Sequence, residues 1–351
     1  MLSRNIMNIR QCRIKLGCGL IARVHAAAIL PLENLELWGV YDANEQAALA
    51  FAEKHPCRVY GSYSEMLADP ELDAVSLCTP PSLHLTLARE AARAGKHLVV
   101  EKPLSADLRE ASEMVSFCRE QGVLLCGILQ HRFDPLVLAL KELFRQDVFG
   151  RILMADARIL WYRDDDYYHK VPWHAQKKNG GVMLNQAIHY MDLLGHLTGG
   201  IGAVTGVCRT LGHDIEPEDC AVAALEFRCS AVGTLEASTV CYPGICAELT
   251  IFTQKGYICI RDESLAGYRH CDGAIPQLDA FLTGGGQLSA SARPDDLEVD
   301  SHRAELSNFA DALLGKAPLA VTGEEALQVL AFIDAVTRSS EAQGQRIALQ
   351  Y

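Results

Sequence analysis

The chain has 351 residues, of which 49% are hydrophobic and 22% charged, and its formal net charge is −12. This is the balance of an ordinary globular protein long enough for two domains, and an acidic chain lacks the basic surface that phosphate neutralisation requires, so nucleic acid is not expected as a partner. No apolar run reaches the roughly 18 residues of a membrane span, and the basic first fifteen residues lack the apolar core of a signal peptide.

Between residues 13 and about 130, strand-like and helix-like segments alternate. Short apolar strands are expected at 14–17, 35–41, 74–78, 97–100 and 123–128. Helices are expected at 45–54, 83–94 and 106–121. This βαβ rhythm demands a parallel sheet with right-handed crossovers. After Pro135 the pattern changes. A helix at 136–145 leads into a long strand at 152–160, an aromatic and charged loop, a glycine pair and a helix at 182–197. Strand then follows strand at 204–210, 220–227, 231–240, 248–254 and 257–261, which favours an antiparallel sheet. Residues 262 to about 298 read as loop, and helices at 301–314 and 324–343 close the chain. There is no internal repeat.

The 13 cysteines are odd in number. Many sit in apolar runs such as Val75-Ser76-Leu77-Cys78, and no CxxC pair has zinc-like spacing. They are expected to be buried reduced thiols in a cytoplasmic protein without a metal site.

Gly17-Cys18-Gly19-Leu20-Ile21-Ala22 fits GxGxxA between a strand and a helix. Gly17 permits the tight turn, Gly19 a close approach to a pyrophosphate, and Ala22 close helix–strand packing. The free N–H groups of the helix start, from Leu20 and Ile21 onward, suit an anion. Asp42, ending the second strand, can accept the adenosine ribose hydroxyls and repel a 2′-phosphate, so NAD is expected over NADP. Thr79 and Pro80 close the third strand, and Glu101-Lys102-Pro103 closes the fourth. Both lie on the carboxyl edge of the sheet, where a ligand crosses an α/β fold.

With these motifs in place, the sequence resembles the glucose–fructose oxidoreductase, inositol dehydrogenase and MocA family (Gfo/Idh/MocA) from Arg13 to about Leu349. The resemblance rests on the GxGxxA segment, Asp42, Cys78-Thr79-Pro80 with His84, Glu101-Lys102-Pro103, Gln130-His131-Arg132-Phe133-Asp134-Pro135, and the stretch from Gly180-Gly181 to His189-Tyr190-Met191-Asp192. It implies an α/β protein with an N-terminal Rossmann domain, taken as 1–132. It further implies a C-terminal α+β domain with a large open, mostly antiparallel sheet, taken as 133–351, whose last helices pack back on the first. It implies NAD(P)-linked chemistry on sugars, inositols and related polyols, with Lys102 and His189 at the catalytic centre. His84, Glu101 and His131 are then expected near the cofactor and Arg132 in a pocket wall. Three positions depart from the pattern. Asn185 stands where many members carry Asp, Asn179 replaces a third glycine, and Trp173-His174-Ala175 replaces Trp-Arg-Gly. The Asn185-Gln186…His189 variant is similar to members acting on nucleotide-linked amino sugars.

The residues themselves agree with this chemistry. Asn185, His189 and Asp192 share one helical face by spacing. Oxidising an alcohol needs a group to take the hydroxyl proton, and imidazole titrates near working pH. Lys102 can stabilise developing alkoxide charge; the two roles are interchangeable, because a buried lysine titrates lower. Arg163 and Tyr168, in an aromatic and charged segment, suit a carbohydrate-like substrate, together with Lys102, Asn185 and His189. Two other functions fit the same fold: a redox-neutral, NAD-assisted elimination or glycoside cleavage, and a non-catalytic dinucleotide-dependent regulator. An apolar outer face of the second sheet would need a partner subunit, giving a homodimer or homotetramer.

Overall fold

The computed structural model describes residues 12–16, 19–282 and 299–350, which fall into two compact units. The first gathers the described residues up to Ser105, Arg109–Gln130, and those of 297–326. Its strands and helices alternate in chain order: β1 (Cys12–Leu16), α1 (Leu20–Ile29), β2 (Leu35–Val40), α2 (Glu45–Lys54), β3 (Arg58–Val59), α3 (Tyr63–Ala68), β4 (Ala74–Leu77), α4 (His84–Arg93), β5 (His97–Val100), α5 (Leu108–Glu120) and β6 (Leu125–Gly127). All pairings are parallel, in the order β3-β2-β1-β4-β5-β6. This is the Rossmann arrangement, whose reversal of strand order beside β1 opens a ligand crevice at the carboxyl ends. The sheet is covered on both faces, and every residue of β4 is accordingly buried. A further helix, α10 (Val299–Leu313), packs on α1. It brings Leu306, Phe309 and Ala310, all fully buried, into the core around Ile14, Ala26 and Ile29, where each buried large aliphatic side chain contributes about 1.5–3 kcal/mol. Asn34 fixes it further by donating to the Ser307 carbonyl and to Asp311.

Sequence periodicity gave no hint of β3 and α3, which are too short for a repeat to show. The local signal is instead a cap: Ser62 accepts from the Glu65 amide, and Glu65 accepts from the Gly61 amide. Just beyond lies a buried acid, Asp69. It accepts from Tyr60 Oη (2.6 Å), Arg58 Nη1 (2.7 Å), Trp38 Nε1 (3.1 Å) and the Glu71 amide (2.9 Å). Led by the Tyr60 hydrogen bond and opposed by burial, these contacts lower its pKa from 3.8 to about 2. A depressed carboxyl stabilises the fold above its unfolded pKa and loses that contribution as pH falls through the folded one. Asp69→Asn is therefore expected to cost about 1–3 kcal/mol at neutral pH. In urea titrations the gap between parent and variant should close as pH falls from 3.8 to about 2; a gap independent of pH would contradict this.

The second unit contains His131–Asp296 where described, Leu327–Tyr351 where described, and Ala106–Leu108. Its sheet holds β7 (Ile152–Leu160), β8 (Ile201–Arg209), β9 (Cys220–Phe227), β10 (Val232–Ser238), β11 (Cys246–Thr253), β12 (Gly256–Arg261), β13 (Ser264–His270) and β14 (Ile347–Ala348). Their order is β13-β12-β11-β7-β10-β9-β8-β14. Among the described residues only the β7–β10 pair of this sheet is parallel, so it is mixed and mostly antiparallel. Its helices are α6 (Pro135–Arg145), α7 (Asp165–Lys170), α8 (Ile188–Thr198), α9 (Pro276–Asp279) and the larger part of α11 (Gly323–Glu341). Small residues on the inner face of β7, Ala155 and Ala157, let α8 lie close on β7 and β11. The stretch 264–270, expected as loop, is the edge strand β13. It pairs with β12 alone and buries little beyond Leu265, so it lacks the alternation of a half-buried strand. The segment expected as loop after β7 likewise contains α7, capped by Asp164, which accepts from the Tyr167 amide at 3.0 Å.

Candidate active site

The carboxyl edge of the first sheet assembles the residues expected to meet the nucleotide. Gly17 lies outside the described residues, as does Cys18. Gly19 is the N-cap of α1, which begins at Leu20 and Ile21 and has no side-chain cap, while Ala22 is fully buried against the sheet. The leading N–H groups of α1 are thus left to an anion. Asp42 follows β2, and its carboxylate orders the next turn by accepting from the Asn44 amide at 2.9 Å. Thr79 and Pro80 follow β4. Among the described residues the buried Thr79 hydroxyl has no hydrogen-bond partner, as expected of a group that waits for a ligand. An uncapped helix start, a strand-end carboxylate and an orphaned hydroxyl on one edge fit a dinucleotide.

The turn after β5 carries Lys102. Glu101 donates its amide to the Leu77 carbonyl, which ties the turn to β4. Its carboxylate accepts from the Lys102 amide at 3.1 Å and meets His25 Nε2 at 2.7 Å. Burial pulls the Lys102 ammonium below its ordinary value, and Glu101 pulls it back up. His84 is fully buried. Its Nε2 donates to the Thr79 carbonyl at 2.8 Å, and its Nδ1 lies 3.2 Å from the Pro103 and Leu104 carbonyls. The ring thus bridges the loop after β4 to the turn bearing Lys102.

In the second unit, His189 is half-buried on α8. The expected helix at 182–197 begins instead with one turn of π-helix, Met183–Ala187, which contains Asn185 and leads into α8. Such turns recur at functional sites because they re-aim side chains. The preceding glycines are required by close approaches. A Cβ on Gly180 would stand 1.9 Å from the His174 carbonyl oxygen, and one on Gly181, at φ 108°, would stand 2.6 Å from the Glu218 carboxylate. Glu218 in turn accepts from the Met183 amide at the helix start.

Asp192 does not serve as His189's partner on the helix face. A buried carboxylate needs a cation, and both its oxygens accept from buried Arg132, at 2.6 and 2.8 Å. What meets His189 is His131, edge to face with centroids 4.8 Å apart. His131 Nδ1 lies 2.8 Å from Asp134, and its Nε2 lies 3.7 Å from Glu263 in the turn between β12 and β13. His131, Asp134, His189, Tyr190 and Glu263 line a common pocket.

Arg163 is buried. Its guanidinium sits 5.1 Å from the centroid of the Trp161 ring and 5.5 Å from that of Tyr167, and it donates to Gln186 Oε1 at 3.2 Å. Gln186 Nε2 donates to the Tyr167 hydroxyl at 2.7 Å. Tyr168 packs edge to face on Tyr167, with centroids 5.0 Å apart, while its hydroxyl pairs with Thr239 and its ring also meets His213. The sequence points to Arg163 and Tyr168, and the structure adds Tyr167 and Gln186 to that group.

Comparison with known proteins gives the assembly its context. The chain matches the model of the oxidoreductase family with NAD-binding Rossmann fold (GFO_IDH_MocA) over residues 15–128 and that of the GFO/IDH/MocA C-terminal domain over 137–259. The chain belongs to the Gfo/Idh/MocA family. Among solved structures, it is 32% identical to the WlbA dehydrogenase from Bordetella pertussis, determined with NADH and UDP-GlcNAcA. That likeness has a TM-score of 0.88 and covers 97% of this chain and 99% of that one. It is 27% identical to UDP-N-acetylglucosamine 3-dehydrogenase of Acidithiobacillus ferrooxidans, over 94% of this chain and 97% of that protein. It is 25% identical to inositol 2-dehydrogenase of Rhizobium meliloti, over 92% and 95%.

As a Gfo/Idh/MocA member, the protein is an NAD-dependent oxidoreductase acting on CH–OH groups of the sugar, inositol or UDP-sugar type. Among the described residues, no helix is long and apolar enough to cross a membrane.

Proposed function

We propose that this Gfo/Idh/MocA protein oxidises a ring hydroxyl of a UDP-linked amino sugar, or reduces the corresponding ketone, with Lys102 and His189 as its catalytic residues. The observation that carries the substrate class is the full-length likeness to the WlbA dehydrogenase bound to UDP-GlcNAcA. The polar group of Arg163, Gln186 and Tyr167 beside Asn185 supports it, offering a cation and amides to a substrate rich in anionic and hydroxyl groups. NAD supplies the hydride acceptor when bound. The chain's own part is to handle a proton and a charge. His189 Nε2 or Nδ1 takes the hydroxyl proton, and the Lys102 ammonium stabilises the negative charge that develops on the same oxygen. Asn185 and Arg163 orient the substrate. A dehydrogenase screen over inositols, free sugars, sugar acids and UDP-sugars tests this. The highest kcat/KM is expected with a UDP-linked amino sugar; an equal or higher value for free inositols would contradict it.

Asp42, with Gly19, Leu20, Ile21, Ala22, Thr79 and Pro80, forms our proposed nucleotide contact. Its carboxylate disfavours a 2′-phosphate, since two unit charges about 4 Å apart near a surface repel by roughly 4 kcal/mol. Asp42→Ala is expected to lower the NAD-to-NADP ratio of kcat/KM by at least about ten-fold. An unchanged ratio would remove this role.

We infer that the outer face of the second sheet mediates self-association. Val232, Met154, Phe252 and Tyr257 stand opposite one another across four strands and form an apolar row. On the same face, one row further along beyond Thr234, Asp156, Thr250 and Cys259, runs a row of alternating charge, Glu236, Arg158, Glu248 and Arg261. A self-complementary face with both features suits a second copy of the chain. Light scattering after size exclusion should give a dimer or tetramer, and Phe252→Lys with Met154→Lys should yield monomers. A monomeric parent would contradict this.

A further inference from the structure

Beneath the turn that carries Lys102 lies a buried cluster that neither nucleotide binding nor proton handling uses directly. His25, on α1, is fully buried, and Glu101 is 5% exposed. Nε2 of His25 lies 2.7 Å from Glu101 Oε1, and Nδ1 lies 3.0 Å from Ser76 Oγ. His302, on α10, brings its Nε2 to 3.9 Å from the same Glu101 oxygen, and its ring centroid lies 5.6 Å from that of His25. The other Glu101 oxygen accepts from the Lys102 amide. A carboxylate buried this deeply persists only when donors hold it. Here the donors come from the helix that starts at the proposed pyrophosphate site and from the backbone of Lys102 itself, and α10 adds the nearby imidazole of His302.

Burial alone would push the Glu101 carboxyl up, but the His25 hydrogen bond and charge, with His302 and Lys102, bring it down to about 2. Burial would likewise push His25 down, yet its contacts with Cys78 and Glu101 hold it well above its ordinary value. Both directions, with the 2.7 Å contact, favour the imidazolium–carboxylate form of the pair. The other groups facing it are Cys78 just after β4, His302 and Glu305 of α10, His84 of α4 and Cys126 of β6. Burial lowers His84 and raises Cys126, which leaves both uncharged near neutral pH. Glu305 is engaged by the Leu129 amide.

We propose that His25 is a positioning residue for Lys102: through Glu101 it fixes the turn that presents the ammonium and balances the charge that the ammonium faces. This rests on the reading of Lys102 as a catalytic residue. The charge order, imidazolium then carboxylate then ammonium, makes a signed prediction. In His25→Gln the amide still donates to Glu101 but carries no charge, so Glu101 acts more strongly on Lys102 and its titration moves to higher pH. In Glu101→Gln the attraction that raises Lys102 is removed and its titration moves to lower pH. Each shift is expected to be about one pH unit.

The test uses the full-length holoprotein. Lysine titration is followed by 13C NMR, with the Lys102 signal assigned by its loss in Lys102→Arg, and the alkaline limb of kcat is measured in parallel. His25→Gln is expected to lower kcat about ten-fold, the size of effect seen when the outer partner of a reacting group is lost, with KM for NAD changed little. Opposite displacements of the Lys102 titration in the two variants support the proposal. A titration unmoved in both, or moved the same way in both, overturns it. Thermal melts monitor folding; should either variant unfold, His25→Asn or Glu101→Ala, which likewise remove the charge, takes its place in the same titration. If Lys102→Ala retains full turnover, the catalytic reading of Lys102 fails, and that outcome is separate from the NMR result.

Discussion

Replacing Lys102 by Ala is expected to lower the single-turnover rate of NAD reduction by roughly 10²–10³-fold, the usual loss when one preorganised donor to a developing oxyanion is removed. The size follows from the setting. The ammonium follows a strand buried from Leu98 to Val100, on a turn held by the Leu77 carbonyl and by its own neighbour Glu101. Such a charge needs no reorganisation when the reaction occurs, and in a site poor in water it acts more strongly than in solvent. NADH binding, followed by fluorescence, should change only a few-fold, because the nucleotide is assigned mainly to α1, Asp42 and Thr79. Lys102→Arg should restore charge but not position, and so recover only part of the rate. A Lys102→Ala variant at parental rate would refute the assignment.

The second large effect is expected at His189. His189→Ala should lower kcat by about 10²–10⁴-fold, the range for a positioned proton acceptor. For alcohol oxidation the imidazole must be neutral, so parental activity falls as pH drops through its titration. In His189→Asn that acid limb should disappear together with most of the rate. The His131 ring, edge-on to His189 and anchored to Asp134, predicts a smaller effect for His131→Phe, which keeps the ring and removes the hydrogen bond. Measuring kcat against pH for parent and variants checks both. An acid limb that survives in His189→Asn would assign the proton to another group.

Much of this was legible in the chain, for identifiable reasons. The parallel sheet announced itself because its strands are continuous apolar runs between helices of clear period. The strands β5 and β9 and the helix α2 begin and end where their patterns do. Glu101-Lys102-Pro103 could be placed on the sheet edge because it directly follows such a run. Other features had no local signal. β13 is an edge strand with one deeply buried residue, and the π-turn at Met183–Ala187 has the composition of an ordinary helix. The partners of the site residues were hidden altogether. Asp192 seemed to belong to His189 by spacing but is held by Arg132, 60 positions away. His25 and Glu101 are 76 positions apart, and His302 is further still. Only the tertiary fold decides which buried acid meets which base. The one hint was composition: a histidine within the apolar helix α1 needs a partner, and the nearest buried carboxylate of the same unit supplies it.

The claim on which the account turns is that Lys102 and His189 serve one and the same step, and a double-mutant cycle on single-turnover NAD reduction measures this directly. Two groups acting together on one hydroxyl are expected to be strongly non-additive, so that Lys102→Ala combined with His189→Ala is scarcely slower than the worse single variant. If the two losses simply multiply, the residues act independently, and the shared step is contradicted.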